Sequence, residues 1–102
     1  AAIAATALQR SGIELVEFGM AKQLFAQSDN WSLAQKGVVA HSLSAGSLHA
    51  DYHRPSDEVK KLDLEHMTEI VRGLREVVIE FANRADAPKW SDAWKNRPQR
   101  GR

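Results

Sequence analysis

The sequence predicts an α/β fold in which two strands are covered by helices and the last helix is long and amphipathic. Two short apolar runs, residues 13–18 and 38–43, each follow a helix-like segment, an order typical of α/β layers. Polar side chains gather directly after the second run, where open parallel sheets place their binding sites. Residues 64–81 then carry apolar side chains at helical spacing.

Two strands are too few for an independent sheet, because both would keep unpaired edges. We therefore expect the C-terminal fragment of a mostly parallel α/β/α sheet fold, completed either by further chain or by additional copies. Residues 1–87 are assigned to this domain portion. Residues 88–102 are assigned to a basic, tryptophan-containing tail that is partly disordered.

The first elements are marked by glycines and capping residues. Residues 1–10 contain strong helix formers, and Gly12 stands where a left-handed C-terminal cap is expected. Residues 13–18 mix β-branched, aromatic and charged side chains, which favours a strand. Ser-Asp-Asn at 28–30 offers N-cap residues for a short helix that Gly37 ends, and the strand at 38–43 follows.

The last helix has the clearest pattern of the sequence. Asp63 is its expected N-cap, and Pro88 bounds its far side. Trp90 and Trp94, four residues apart, are expected to form one helical turn. The apolar positions recur every three or four residues: Leu64, Met67, Ile70, Val71, Leu74, Val77, Val78 and Phe81.

Composition excludes several classes of function. The chain has no cysteine, so thiolate ligands and thiol nucleophiles are absent. The apolar runs are short and interrupted by charge, which excludes a membrane span. Residues 89–102 carry five basic side chains against one acid, but without an aromatic and basic platform we predict no nucleic-acid binding.

Residues 48–58, Leu-His-Ala-Asp-Tyr-His-Arg-Pro-Ser-Asp-Glu, concentrate the chemistry-bearing side chains. Pro55 pushes the residue before it out of the helical region, so the segment is predicted to be a loop. Imidazole and carboxylate groups are the ligands that zinc prefers. The alternative to a metal site is a hydrogen-bonded surface turn.

Two blocks of the sequence carry a family resemblance. The first is Ser28-Asp29-Asn30-Trp31, and the second is the histidine loop with Tyr-His-x-Pro-Ser-Asp, followed within ten residues by Leu-Asp-Leu-Glu-His-Met. Together they resemble the C-terminal end of the co-catalytic zinc aminopeptidase family, which contains bacterial leucyl aminopeptidases and glutamate carboxypeptidase-type enzymes. The similarity covers about residues 25–81.

The resemblance implies roles for individual residues. His53 matches the family's final metal ligand, in one of two neighbouring zinc sites. Tyr52 matches a tyrosine whose hydroxyl reaches the developing oxyanion in some relatives, or is a packed loop aromatic. Asp57 matches a trailing acid that orients the loop, or caps the turn at Glu58. Asp29 matches an acid near the active-site mouth, or is an N-cap.

The remaining candidates are less specific. His49 and Asp51 either line the same mouth or are solvated loop residues. His41, in the second predicted strand, and His66, in the first turn of the last helix, are predicted to have hydrogen-bonded structural roles.

The family's other metal ligands come from an upstream His-x-Asp, a Glu-Glu pair and a further acid. This chain has no Glu-Glu pair, and no His-x-Asp precedes the histidine loop. We therefore expect part of a zinc-dependent exopeptidase that cleaves peptide substrates with metal-activated water, inactive alone and, by resemblance, exported. The alternative is a non-catalytic interaction module that associates, as a homo-oligomer or with a partner, through a sheet edge, the helix face or the tryptophan tail.

Overall fold

The computed structural model describes residues 1–17, 19–46 and 49–96. Within these ranges the chain forms five α-helices: α1 (Ala2–Gln9), α2 (Ala21–Leu24), α3 (Asn30–Gln35), α4 (Leu64–Ala82) and α5 (Asp92–Lys95). Two 3₁₀ turns, Phe25–Gln27 and Val59–Lys61, lie before α3 and α4. No helix in the described ranges is long and apolar enough to cross a membrane.

The predicted α/β fold is wrong, because the described part of the chain is helical and contains no strand. Residues 13–17 and 38–43 are irregular and form no backbone ladder with each other. β-Branched and aromatic residues favour extended backbone, but a strand also needs a hydrogen-bonded neighbour, and neither segment has one here. Phe18, the predicted end of the first strand, lies outside the described residues.

Glycines end α1 and α3 as predicted. Gly12 has φ 72°, and the N–H groups of Gly12 and Ile13 donate to the carbonyls of Gln9 and Leu8. Gly37 has φ 84° and ends α3 with the same pair of hydrogen bonds. Its N–H donates to the carbonyl of residue 34, and the N–H of residue 38 donates to the carbonyl of residue 33. Both are Schellman motifs, in which glycine adopts the left-handed conformation without a Cβ clash.

The small core lies between α1 and α4. Ala4, Ala7 and Leu8 of α1 pack against Val77 of α4. Gly73 permits this close approach, because a Cβ there would lie 3.1 Å from Leu8 Cδ2 and would collide with the Ile13 side chain. At the edge of the contact Arg10 Nη2 lies 2.9 Å from Glu80 Oε2.

α4 confirms the predicted helix and its cap, since the Asp63 side chain accepts the His66 N–H at 3.0 Å. Two rows of residues on α4 differ in their surroundings. Gly73, Val77 and Glu80 face α1, whereas the other row is exposed, and we call it the outer row. The outer row consists of Leu64, Met67, Val71 and Val78, which are 61%, 42%, 57% and 66% exposed.

Candidate functional site

The histidine loop is a series of tight turns. The N–H of Tyr52 donates to the His49 carbonyl at 3.1 Å, that of Arg54 to Asp51 at 2.9 Å, and that of Asp57 to Arg54 at 3.0 Å. Each bond joins the N–H of one residue to the carbonyl of the residue three positions before it, as in β-turns. The predicted loop is thus confirmed for residues 49–58. Leu48, with which the quoted motif begins, lies outside the described residues.

His53 occupies the most unusual backbone position of the loop. Its φ is 58°, which places it in the left-handed region, and it is the one non-glycine residue with positive φ in the described ranges. Histidine is among the residue types found there more often than most, but the conformation still costs about 1–2 kcal/mol. His53 is exposed, and its imidazole makes no hydrogen bond within the described part of the chain.

The ring of Tyr52 contacts the rings of both loop histidines. Its centroid is 3.9 Å from that of His53, at an interplanar angle of 49°, and 6.1 Å from that of His49, at 83°. Tyr52 is 48% exposed. The side chain therefore packs beside the imidazole of His53 while remaining accessible, so both alternatives stated for Tyr52 are compatible with its position.

Asp51 pairs with a residue ten positions further along the chain. Its Oδ1 lies 2.9 Å from Lys61 Nζ, in the second 3₁₀ turn. Hydrogen bonding from Lys61 and then from the Ser56 side chain lowers the pKa of the Asp51 carboxyl below its usual range. Asp51 is therefore ionised near neutral pH and already engaged by a cation, so binding a metal would require it to leave Lys61.

The capping alternatives for the two other acids are not observed. The second 3₁₀ turn begins after Glu58 without a side-chain cap, and Asp57 is exposed and makes no side-chain hydrogen bond in the described ranges. Asp29 precedes α3 but makes no capping bond either, and it is also exposed. No hydrogen bond, ion pair or ring contact among the described residues joins Asp29 to the histidine loop.

Asn30 is the residue that sequence reasoning missed. It is only 5% exposed; its Nδ2 donates to the Phe25 carbonyl at 3.1 Å, and its Oδ1 accepts the Ser42 hydroxyl at 2.9 Å. One side chain thus joins the first 3₁₀ turn, the start of α3 and residues 38–43. The signal was its place in the Ser-Asp-Asn-Trp block, where it was considered only as a possible cap.

An aromatic cluster forms around Phe25, with Trp31, His41, Trp90 and Trp94 as its other members. The rings of Trp90 and Trp94 stack at 4.4 Å, and Trp90 Nε1 donates to the Gly37 carbonyl at 3.1 Å. The expected helical turn of the two tryptophans therefore packs against the N-terminal half of the chain.

His41 and His66 differ in their surroundings. The His41 ring lies 5.6 Å from Phe25 and 5.5 Å from Trp90, so its structural role is ring packing and not the predicted hydrogen bond. Partial burial, followed by the charge of the N-terminal ammonium group, lowers the pKa of His41. His66 is exposed, and its described bond is made by its backbone N–H.

The described residues do not form a metal centre by themselves. No group of three or more histidine, aspartate or glutamate side chains within these ranges is close enough to hold an ion. A tetrahedral zinc site needs three or four protein ligands, and His53 supplies one exposed imidazole. The residues present therefore do not fit a complete zinc site, and no catalytic step can be assigned to this chain alone.

Comparison with known proteins gives one family match. Residues 1–78 match the sequence model of peptidase family M28, and this range includes both blocks described above. No curated protein and no solved structure matches the chain.

Proposed function

The chain belongs to peptidase family M28, and from that premise we propose that it is the C-terminal portion of a zinc-dependent exopeptidase of the aminopeptidase type. In this proposal the chain contributes one metal ligand, His53, and the other ligands come from outside it. The family is generally zinc-dependent, which supports the choice of metal.

One observation carries the proposal: the exposed imidazole of His53 stands in a turn inside the family-matched range. A ligand to a shared metal must be accessible and held in a fixed direction, and tight turns on the surface can provide both. The φ of 58° and the adjacent Tyr52 ring restrict the histidine without covering it. A histidine in a sealed apolar interior would have contradicted the role.

The exposed outer row of α4 supports the proposal that the chain is a portion of a larger domain. Leu64, Val71 and Val78 are each more than half exposed on a helix whose other row packs against α1. Exposed apolar side chains that recur on one side of a helix are typical of interaction sites. In our proposal the remainder of the peptidase domain covers it.

Each candidate residue has a definite task in this proposal. Zinc, when bound, supplies a polarised water that is deprotonated near neutral pH. His53 would hold the metal through its unprotonated nitrogen, and Tyr52 would be the residue whose hydroxyl is directed to the oxygen of the substrate carbonyl. Asp57 would orient the loop that carries His53, and His49 and Asp29 would lie at the mouth of the site, where a peptide substrate enters.

A zinc titration followed by the imidazole NMR signals tests the role of His53. Zinc binding to the chain is expected to be weak, and the His53 ring signals should respond first among the four histidines. His53→Asn should remove this response, because asparagine tolerates positive φ and keeps the turn. His66→Asn is the matched control and should leave the response unchanged.

Two results would contradict this proposal. A zinc response at His49 or His66 with none at His53 would exclude His53 as the ligand. Release of p-nitroaniline from leucine p-nitroanilide by the chain alone would contradict the claim that the base and the remaining ligands lie elsewhere, since proton transfer contributes ~10²–10⁴ in rate.

Exposure of the outer row favours a second candidate, a homo-oligomerisation module in which two copies bury these rows against each other. Sedimentation analysis distinguishes it from the first proposal. A stable dimer that dissociates in Val71→Glu, but not in Glu69→Lys on the polar side of α4, would support self-association. A monomer over the micromolar range would exclude it.

A further inference from the structure

We infer that Asp51 and Lys61 form a positioning pair that holds His53 in its left-handed backbone conformation, so that the direction of the imidazole depends on this ion pair. The inference rests on the proposed function of His53. Asp51 is therefore assigned a positioning role in the loop, which differs from both alternatives stated for it, a residue of the site mouth and a solvated loop residue.

The geometry places His53 inside the segment that the pair closes. Asp51 Oδ1 and Lys61 Nζ are 2.9 Å apart, and the nine residues between them in sequence include the whole second half of the loop. The carbonyl of Asp51 also accepts the Arg54 N–H at 2.9 Å. Asp51 thus fixes the turn around His53 at its backbone and fixes the end of the loop through its carboxylate.

A strained residue needs surrounding contacts that determine its conformation. The imidazole of His53 makes no hydrogen bond within the described ranges, so its side chain does not hold φ at 58°. The constraints come from the turns on either side, from the Tyr52 ring and from the Asp51–Lys61 ion pair. Of these, the ion pair is the contact that ties the loop to the 3₁₀ turn before α4.

A neighbouring ion pair provides the comparison. Glu58 Oε2 lies 2.8 Å from Lys60 Nζ, but these residues are two apart in sequence and their side chains are 48% and 75% exposed. The side chains of Asp51 and Lys61 are 30% and 44% exposed. Only the Asp51–Lys61 pair encloses His53 in sequence, so removing the Glu58–Lys60 pair should not change the turn.

The experiment measures the His53 turn directly in the full chain. We would record the HN–Hα coupling and the Cα and Cβ shifts of His53, and the exchange rate of the Arg54 amide, in Asp51→Asn, Lys61→Met and Glu58→Gln. Asp51→Asn and Lys61→Met should shift His53 toward negative φ and raise Arg54 exchange about two- to fivefold, as expected for an exposed ion pair. Glu58→Gln should change neither quantity.

Rescue separates charge pairing from side-chain shape. The double variant Asp51→Lys/Lys61→Asp should restore the His53 coupling toward the wild-type value, while tryptophan emission stays constant in every variant because the aromatic cluster is untouched. Zinc response of the His53 ring should weaken about two- to fivefold in Asp51→Asn.

Failure of this inference differs from failure of the proposed function. Unchanged His53 coupling and Arg54 exchange in both Asp51→Asn and Lys61→Met would overturn the positioning role, whatever zinc does. Absence of any zinc response at His53 in the wild-type chain would overturn the proposed ligand and, with it, the functional meaning of the pair.

Discussion

Replacing Asn30 with alanine tests whether one buried amide holds the N-terminal half of the structure together. The side chain donates to the Phe25 carbonyl and accepts the Ser42 hydroxyl, and it is 5% exposed. Each lost hydrogen bond costs about 1 kcal/mol net, and more where the abandoned partner stays buried. We therefore expect Asn30→Ala to lower the free energy of unfolding by about 2–3 kcal/mol.

A loss of this size is a large fraction of the stability of a chain of 102 residues. Urea unfolding followed by tryptophan emission is a suitable assay, because Trp31 directly follows Asn30 and contacts Phe25. In thermal unfolding the same change should lower Tm by about 10–20 °C, since 1 kcal/mol corresponds to about 4–8 °C for a small domain.

Two further variants make the test specific. Ser42→Ala removes one of the two bonds and should cost about 1 kcal/mol, and a double-mutant cycle with Asn30→Ala should give a coupling of about 0.5–1.5 kcal/mol. Asp29→Ala changes an exposed side chain without a capping bond and should lie within about 0.5 kcal/mol of wild type. The reasoning is refuted if Asp29→Ala is as costly as Asn30→Ala, or if Asn30→Ala is neutral.

Three other predictions concern the α1–α4 contact, the aromatic cluster and the cap of α4. Gly73→Leu should destabilise the chain by about 2 kcal/mol or more, because its side chain would enter the space that Ile13 fills. Gly73→Ala should cost less in the same denaturation assay, since the gain in helix propensity of about 1 kcal/mol offsets part of the displacement. Because the pKa of His41 is lowered in the folded chain, its contribution to stability should be complete above pH 6.5 and be lost as the pH falls through the lowered value. Tryptophan emission between pH 7.5 and 5 should report this loss. Asp63→Ala should reduce helix stability by about 1 kcal/mol, visible as lower ellipticity at 222 nm during thermal unfolding.

Each of these predictions has a control. Glu69→Ala lies on the polar side of α4 and should change stability by no more than about 0.5 kcal/mol. His41→Leu should abolish the pH dependence between 7.5 and 5; if the dependence persists in that variant, another group causes it. Asp63→Asn keeps an oxygen that accepts the His66 N–H and should retain most of the capping energy. Equal losses in Asp63→Asn and Asp63→Ala would show that the hydrogen bond is not the cause.

Local patterns were predictable from the sequence. The length of α4 and its cap at Asp63 followed from spacing within one segment, and the ends at Gly12 and Gly37 followed from the need for positive φ. The histidine loop followed from Pro55, whose ring restricts the residue before it. In each case the physical cause lies within a few residues of its effect.

Features that depend on distant partners were not predictable. Residues 13–17 and 38–43 have strand-like composition, but composition does not supply a neighbouring backbone. The burial of Asn30 depends on Phe25 and Ser42, five and twelve residues away. The roles of Tyr52, His53, Asp57, Asp29 and His49 in a peptidase site remain predictions, and the zinc titration above tests that of His53. The end of the tail, residues 97–102, which was predicted to be disordered, lies outside the described residues.

The packing of the C-terminal segment against Phe25 limits where this protein can be truncated for expression. The family match ends at residue 78, inside α4, which continues to Ala82. A truncation at that boundary would remove Glu80, the partner of Arg10, and both tryptophans that cover Phe25. Recombinant versions should therefore extend at least to residue 96, because the folded unit is longer than the stretch by which its family is identified.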